Sequence, residues 1–163
     1  MIIYKTAENP DVERLARIRV EFLSIMNDVL SEDDKNELYG QCIKYFNEEL
    51  NKTCFAYFAM DGGQIVSVAC LSIYRLPPRA TCRDTKVGYI SNVYTIPSYR
   101  KQGIGTKVFT LIVEKAKDLG HKCLYLHASD MGRPIYEKFG FVIRPRERRG
   151  AGMDLWITKE NGI

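Results

Sequence analysis

The stretch of this chain best suited to chemistry is Arg100-Lys101-Gln102-Gly103-Ile104-Gly105-Thr106. It follows an apolar run that closes at Thr95-Ile96-Pro97, and it opens a stripe with helical spacing, Ile104, Val108, Leu111, Ile112, Ala116 and Leu119. A helix start presents backbone N–H groups with no partner inside the helix, and a partial positive charge; together they attract phosphate. Gly103 and Gly105 carry no Cβ and let an anion come close to the backbone. Arg100 and Lys101 add positive charge at the same point. Two other glycine-rich loops do not fit. A Walker A loop needs Gly-x-x-x-x-Gly-Lys-Ser/Thr, which is absent. A dinucleotide fingerprint needs a third glycine where Val108 stands. A turn at Gly103 and close helix packing at Gly105 would produce the same pair with no ligand at all.

The elements that must position this loop follow from periodicity. Ile2 to Thr6 reads as an opening strand. Asn9-Pro10-Asp11 starts a helix, with Val12, Leu15, Ile18 and Phe22 on one face. Ser31, with Asp34 three residues on, starts a second helix whose apolar side carries Leu38, Tyr45, Phe46 and Leu50. Phe55 to Met60 and Ile65 to Ile73 are strands around the turn Asp61-Gly62-Gly63-Gln64. Arg75 to Thr85 is a loop broken by Pro77-Pro78, and Val87 to Ile96 is the strand that feeds the glycines. Beyond the helix that ends at Gly120, Cys123 to His127 is a short strand and Gly132 to Phe139 a short helix stopped by Gly140. Phe141 to Ile143 and Met153 to Ile157 form a closing pair of strands. The unit from Val87 to His127 requires a parallel, right-handed crossover. The expected fold is a mixed α/β (α+β) arrangement: a mostly antiparallel sheet with one parallel βαβ crossover and helices on both faces.

Composition sets the outer limits. The 163 residues fit a single domain, residues 1–163, with an ordinary share of apolar residues and no low-complexity linker. A net charge of +4 suits an anionic small ligand without calling for nucleic acid, and no basic stripe interleaved with aromatics is present. Five scattered cysteines, with no Cys-x-x-Cys pair, lead to an expectation of reduced thiols in a cytoplasmic protein with no zinc site. The amino terminus lacks a basic segment followed by an apolar one, and no apolar run is long enough to span a membrane. A homodimer is left open.

Arg100-x-x-Gly103-x-Gly105, preceded by a strand and Pro97, resembles the acetyl-CoA pyrophosphate loop of the GNAT superfamily of N-acetyltransferases. Tyr136-Glu137-Lys138-Phe139-Gly140-Phe141 is similar to that superfamily's Tyr-x-x-x-Gly-Phe element, and one helix, one strand and one short helix separate the two. The resemblance is firm over Val87 to Phe141. It implies a GNAT fold with acetyl-CoA as acyl-donor cosubstrate. Val93, Tyr94 and Thr95 would offer backbone groups to the pantetheine arm at a bulge. Arg100 and the run Lys101, Gln102, Gly103, Ile104, Gly105 and Thr106 would hold the pyrophosphate. Ser129 stands where many relatives carry a cofactor-binding Asn, and being shorter it reaches less far. Tyr136 would be the general acid that protonates the departing thiolate.

The implied reaction is transfer of acetyl to a primary amine, of a small molecule or a peptide, by direct attack in a ternary complex. The amine must lose its proton first, and the sequence offers several bases without choosing: Glu21, Asp28, Asp84, Glu137, His127, or water held by Ser91 and Asn92. His127 reads more readily as a hydrogen-bonded structural residue, and His121, in the turn after Gly120, as a solvated one. Cys54 and Cys70 could carry an acyl group, but strand cysteines are usually small core residues. Arg144, Arg146, Arg148 and Arg149 form a basic cluster that a solvated hairpin also explains. The acceptor site is expected between Leu23 and Leu50 and in the loop from Arg75, with Tyr39, Tyr45 and Tyr74 as lining. An acyl-CoA-binding sensor on the same fold, without turnover, is the rival reading.

Overall fold

A computed structural model of the chain describes residues 1–26, 30–78, 80 and 82–143. They fall into two compact units, 1–127 and 128 onward. In the first, strands β1 (Ile3–Thr6), β2 (Cys54–Asp61), β3 (Gln64–Arg75), β4 (Lys86–Thr95) and β5 (Leu124–Tyr125) form one sheet in that order. Pairing is antiparallel except between β4 and β5. Helix α1 (Val12–Met26) follows a single 3-10 turn at Asn9–Asp11, and α2 (Glu32–Glu49) and α3 (Ile104–Asp118) complete the unit. The mixed α/β expectation therefore holds, including the parallel crossover from β4 through α3 to β5.

Local chemistry explains the helix starts. Asp11 is buried, yet it accepts from the Glu8 amide at 3.1 Å and from the Lys5 ammonium at 3.1 Å, with Arg14 at 3.5 Å, so its charge is compensated. At α2 the expected Ser31–Asp34 box is present. The Ser31 hydroxyl accepts from the Asp34 amide at 3.1 Å, and the Asp34 carboxylate accepts from the Ser31 amide at 2.9 Å.

Strand alternation sends Cys54, Ala56 and Phe58 of β2 and Val68 and Cys70 of β3 to the face covered by α1 and α2. They pack there with Leu15, Ile18, Cys42 and Phe46. Phe55 lies on the opposite face, where Lys115 of α3 reaches its ring. Ile104, Val108, Phe109, Ile112, Val113 and Ala116 of α3 are all buried, as the helical stripe predicts.

Three expectations need correction or restriction. Strand β5 covers only Leu124–Tyr125 rather than Cys123 to His127, because its parallel pairing with β4 is confined to Gly88 and Tyr89 and the strands part before the bulge that follows Ser91. Phe141 to Ile143 is not a strand: the Phe141 amide closes a helix end, described below. Cysteines 82 and 123 are not free thiols but form a disulfide, with Cα atoms 6.1 Å apart across 41 residues of sequence. The sheet brings the loop before β4 beside the segment before β5, a juxtaposition that sequence spacing does not reveal. Cys42, Cys54 and Cys70 are free and buried. The expected strand Met153 to Ile157 and the arginine cluster lie outside the described residues.

Candidate active site

The two edges of β4 differ along its length. Toward β3 it is paired from Lys86 to Thr95. Toward β5 only Gly88 and Tyr89 are paired, so among the described residues the edge from Ile90 to Thr95 has no strand beside it. The register places Ser91 opposite Cys70 and Tyr94 opposite Val68, which leaves Asn92 and Val93 against Ala69 alone. This is a bulge. Asn92 carries its left-handed turn, with φ of +52°, and asparagine tolerates that region better than most residues. Val93, Tyr94 and Thr95 thus lie at an unpaired edge that begins at a bulge.

The glycine loop continues from that edge. A 3-10 turn at Pro97–Tyr99 reverses the chain, and Lys101 takes a left-handed φ of +61°. Arg100 does not simply project into solvent. Its Nε donates to the Thr95 carbonyl at 2.9 Å and its guanidinium lies 5.9 Å from the Tyr94 ring centre, so it staples the loop to the end of β4. Gln102 donates to the Ser98 carbonyl at 3.1 Å and braces the turn from within.

The two glycines serve different ends. Gly103 precedes α3 with φ of +77°, and a Cβ built there would meet nothing within 4 Å. Its lack of a side chain serves backbone conformation and leaves open space at the helix start. Gly105 is a packing glycine, since a Cβ there would stand 2.7 Å from the Thr95 hydroxyl. That hydroxyl is held in turn by Ser67 at 2.8 Å, and Ser67 also donates to the Tyr94 carbonyl at 3.1 Å. No side chain caps the first turn of α3, so its N–H groups stay available to an anion. Lys101, Gln102, Gly103 and Thr106 are exposed. Ile104 is buried and can offer only its backbone.

An unpaired strand edge that runs into an uncapped helix start is the geometry that the sequence resemblance anticipates. The family model for acetyltransferases of the GNAT family matches residues 16–141. The chain belongs to the GNAT acetyltransferase family. Among solved structures, a predicted acetyltransferase from Clostridium acetobutylicum, solved with acetyl-CoA, is 30% identical. The match covers 94% of this chain and 96% of that one, with a TM-score of 0.81. A GCN5-related N-acetyltransferase from Ralstonia eutropha is 21% identical over 94% of this chain and 99% of its own, with a TM-score of 0.77. A glucosamine-6-phosphate N-acetyltransferase from Arabidopsis thaliana is 17% identical over 97% and 99%, with a TM-score of 0.68. No protein of curated function matches the chain in sequence. GNAT membership supports acyltransferase activity for this chain, with a donor of the acyl-CoA class.

The GNAT element Tyr136 to Phe141 belongs to the second unit, where α4 (Arg133–Lys138) is its helix. The pattern has a mechanical meaning. Gly140 turns left-handed, with φ of +87°, its amide donates to the Glu137 carbonyl at 3.0 Å, and the Phe141 amide donates to the Tyr136 carbonyl at 3.2 Å. This is a Schellman end. The usual apolar contact across it is the Tyr136–Phe141 ring pair, with centres 6.3 Å apart. Tyr136 is 6% exposed, and burial pushes its phenol above the ordinary tyrosine value, so it holds its proton at neutral pH. Ser129 opens the same helix: its hydroxyl accepts from the Gly132 amide at 3.2 Å and its carbonyl from the Arg133 amide at 2.9 Å. Its hydroxyl proton remains available to a ligand.

The candidate bases separate under the same scrutiny. Glu137 is bound to Arg133 at 2.7 Å, and Asp84 accepts from the Lys86 amide in a turn. Asp28 lies outside the described residues. His127 is exposed and its Nδ1 sits 3.2 Å from the Tyr89 hydroxyl. His121 is less solvated than expected, since its Nδ1 is buried with no hydrogen-bond partner among the described residues. The neighbouring Cys54 thiol and then burial raise Cys70, while the Cys70 hydrogen bond lowers Cys54; both are buried, so neither is an accessible nucleophile. Of the expected acceptor tyrosines, Tyr39 stacks under Arg17, Tyr45 bonds Ser72 at 3.1 Å, and Tyr74 meets Tyr125 edge-on. Tyr125 and Tyr89, with ring centres 5.0 Å apart, extend this aromatic row, which the sequence reading missed. Strand alternation was the available signal, because Tyr89 opposes Ser72 and so shares its face. A surface hollow of about 580 Å³ beside Pro10 and Asn51 includes none of these residues.

Proposed function

We propose that the protein moves the acetyl group of acetyl-CoA to a primary amine by direct attack in a ternary complex. The observation that carries this reading is the unpaired edge of β4 leading into the uncapped start of α3. The pantetheine arm pairs with Val93, Tyr94 and Thr95 as an added strand would. The pyrophosphate rests on the N–H groups from Lys101 to Thr106, with Gly103 leaving room for it and Arg100 fixing the loop to the strand. The Clostridium relative, solved with acetyl-CoA, supports that donor. An aliphatic amine, with a pKa near 10.4, must lose a proton before it attacks the thioester. A backbone N–H at the bulge stabilises the oxyanion that forms. Tyr136, kept protonated by burial, gives its proton to the leaving thiolate. In this reading residues 1–163 are one catalytic domain and Ser129 adds a hydroxyl contact to the cofactor. The setting is the cytoplasm, and neither nucleic acid nor membrane takes part.

Two measurements test it. Acetyl-CoA at about one hundred times its Kd should stabilise the fold by about 2.7 kcal/mol in a thermal melt, and dephospho-CoA should do nearly as well. Pantetheine should bind far more weakly. Thiol release on mixing acetyl-CoA with a panel of amines then reads turnover. Equal binding of pantetheine and acetyl-CoA would refute the loop assignment, and tight binding with no turnover on any amine would leave a binding module.

A further inference from the structure

Two charged side chains of α1 reach the unpaired half of β4, and cofactor binding explains neither. Arg19 is half-buried. Its Nη1 lies 3.5 Å from Asn92 Oδ1, the long limit of a hydrogen bond, and no carboxylate pairs with it among the described residues. The other groups that feel its charge are the thiols of Cys42 and Cys70. A half-buried guanidinium with no carboxylate beside it gains little stability from its position. Asn92, its one polar contact among the described residues, is 4% exposed and carries the bulge. Glu21, two residues further along α1, accepts from the Tyr94 hydroxyl at 3.2 Å, is otherwise exposed, and has no cationic partner among the described residues. A cation therefore meets β4 at Asn92 and an anion meets it two residues further on, at Tyr94, with the bulge between them.

We propose that Arg19 and Glu21 hold a zwitterionic acceptor: a primary amine that also carries a carboxylate or phosphate, with the anion on Arg19 and the ammonium drawn to Glu21. The inference rests on the acetyltransferase reading above and names its substrate class. A guanidinium suits this task because its fork gives two parallel bonds to either anion, and the bond to Asn92 holds the fork beside the bulge. A small zwitterion spans the interval with one charged contact at each end. Glu21 then concentrates the amine where the strand edge opens.

The experiment compares matched acceptors in steady-state turnover with acetyl-CoA. One arm sets α-amino acids against their carboxamides, and the other sets amino-sugar phosphates against the unphosphorylated amino sugars. One arm should show a preference of about 10- to 100-fold in kcat/KM for the anionic member, the usual worth of a charge-assisted bond, and it identifies the anion. In Arg19→Gln that ratio should fall to near one, mainly through KM, with acetyl-CoA affinity by calorimetry reporting that the variant is folded. In Glu21→Gln, KM should rise for the charged and uncharged member alike. Amines that turn over with no preference for an anion would overturn this inference and leave the acetyltransferase reading standing, as would a preference that survives in Arg19→Gln. Failure of every amine with acetyl-CoA bound would remove the acetyltransferase reading itself.

Discussion

The two halves of β4 have opposite characters. From Lys86 to Tyr89 the strand is the better held: β3 lies along one edge, β5 pairs with Gly88 and Tyr89 on the other, and the Cys82–Cys123 bridge ties together the segments that lead into β4 and β5. From Ile90 to Thr95 one edge is unpaired, the ladder is broken by a bulge, and a buried asparagine takes a left-handed turn. The first half carries the marks of stability and the second carries features that cost stability. Unpaired edges and positive φ values persist where the surroundings hold them, and they gather at sites of binding and catalysis. The contrast separates residues that should matter to folding from residues that should matter to turnover, within one ten-residue strand.

The strongest way to break this division is through the chemical step. Tyr136→Phe keeps the ring that packs on Phe141 and removes the hydroxyl, so the melting temperature should hardly move. kcat should fall by about 10²- to 10⁴-fold under conditions where chemistry limits the rate. The loss should shrink with acyl donors whose leaving thiol is more acidic. A Phe variant with near-normal kcat would make Tyr136 a packing residue and water the proton donor.

Next in size is the glycine pair, where the structure sharpens what the sequence treated as equivalent. Gly103→Asp places a carboxylate in open space at the helix start, in a backbone region that aspartate tolerates. Acetyl-CoA affinity measured by calorimetry should drop on the order of 100-fold, with the protein still folded, because a buried or closely paired phosphate meets a like charge. Gly105→Ala should instead lower stability by about 1–3 kcal/mol, read from urea unfolding, as Thr95 is forced to move. A folded Gly103→Asp variant with unchanged affinity would show that no phosphate rests there.

The better-held half should respond the other way. Reducing the disulfide, or Cys82→Ser, should cost about 2–4 kcal/mol, the typical effect of releasing a loop of this length, with acetyl-CoA affinity nearly unchanged. A large loss of affinity on reduction would blur the two halves. The smallest expected effect is on alkaline stability. Burial, and then the charge of Glu21, raises the Tyr94 phenol, while burial raises Tyr136. Above about pH 10 the unfolded chain releases these protons before the folded one does. The unfolded state then binds fewer protons, and stability falls as pH rises toward the folded values. Tyr94→Phe should flatten that fall in a pH series of thermal melts, and a steeper fall in the variant would contradict it.

Much of this frame was legible because its causes are local. Ser31 and Asp34 specify a helix start by their own hydrogen bonds, the α3 stripe specifies its buried face, and Gly140-Phe141 specifies a helix end. The loop was legible for the same reason. What escaped the sequence depends on contacts between distant segments. The disulfide joins residues 41 apart, and nothing near Arg19 signals that it meets Asn92 across 73 residues. The truncation of β5 depends on where β4 parts from it after Tyr89, which no pattern within residues 123–127 encodes. Arg100, read as a phosphate contact, also fastens the loop to Thr95, because a strand-end carbonyl lies within reach of its Nε, a contact the sequence does not reveal.

The unpaired edge of β4 has a further consequence for the protein in concentrated solution. A strand edge proposed to take a pantetheine arm is also open to a strand from another molecule, and the ligand-free chain carries that template wherever it goes. The bulge shortens the flat part of the edge, and the cations at Arg100 and Lys101 repel a second copy of the same loop. Saturating cosubstrate should therefore act as a colloidal protectant, slowing self-association on storage by occupying one of the open stretches of sheet edge.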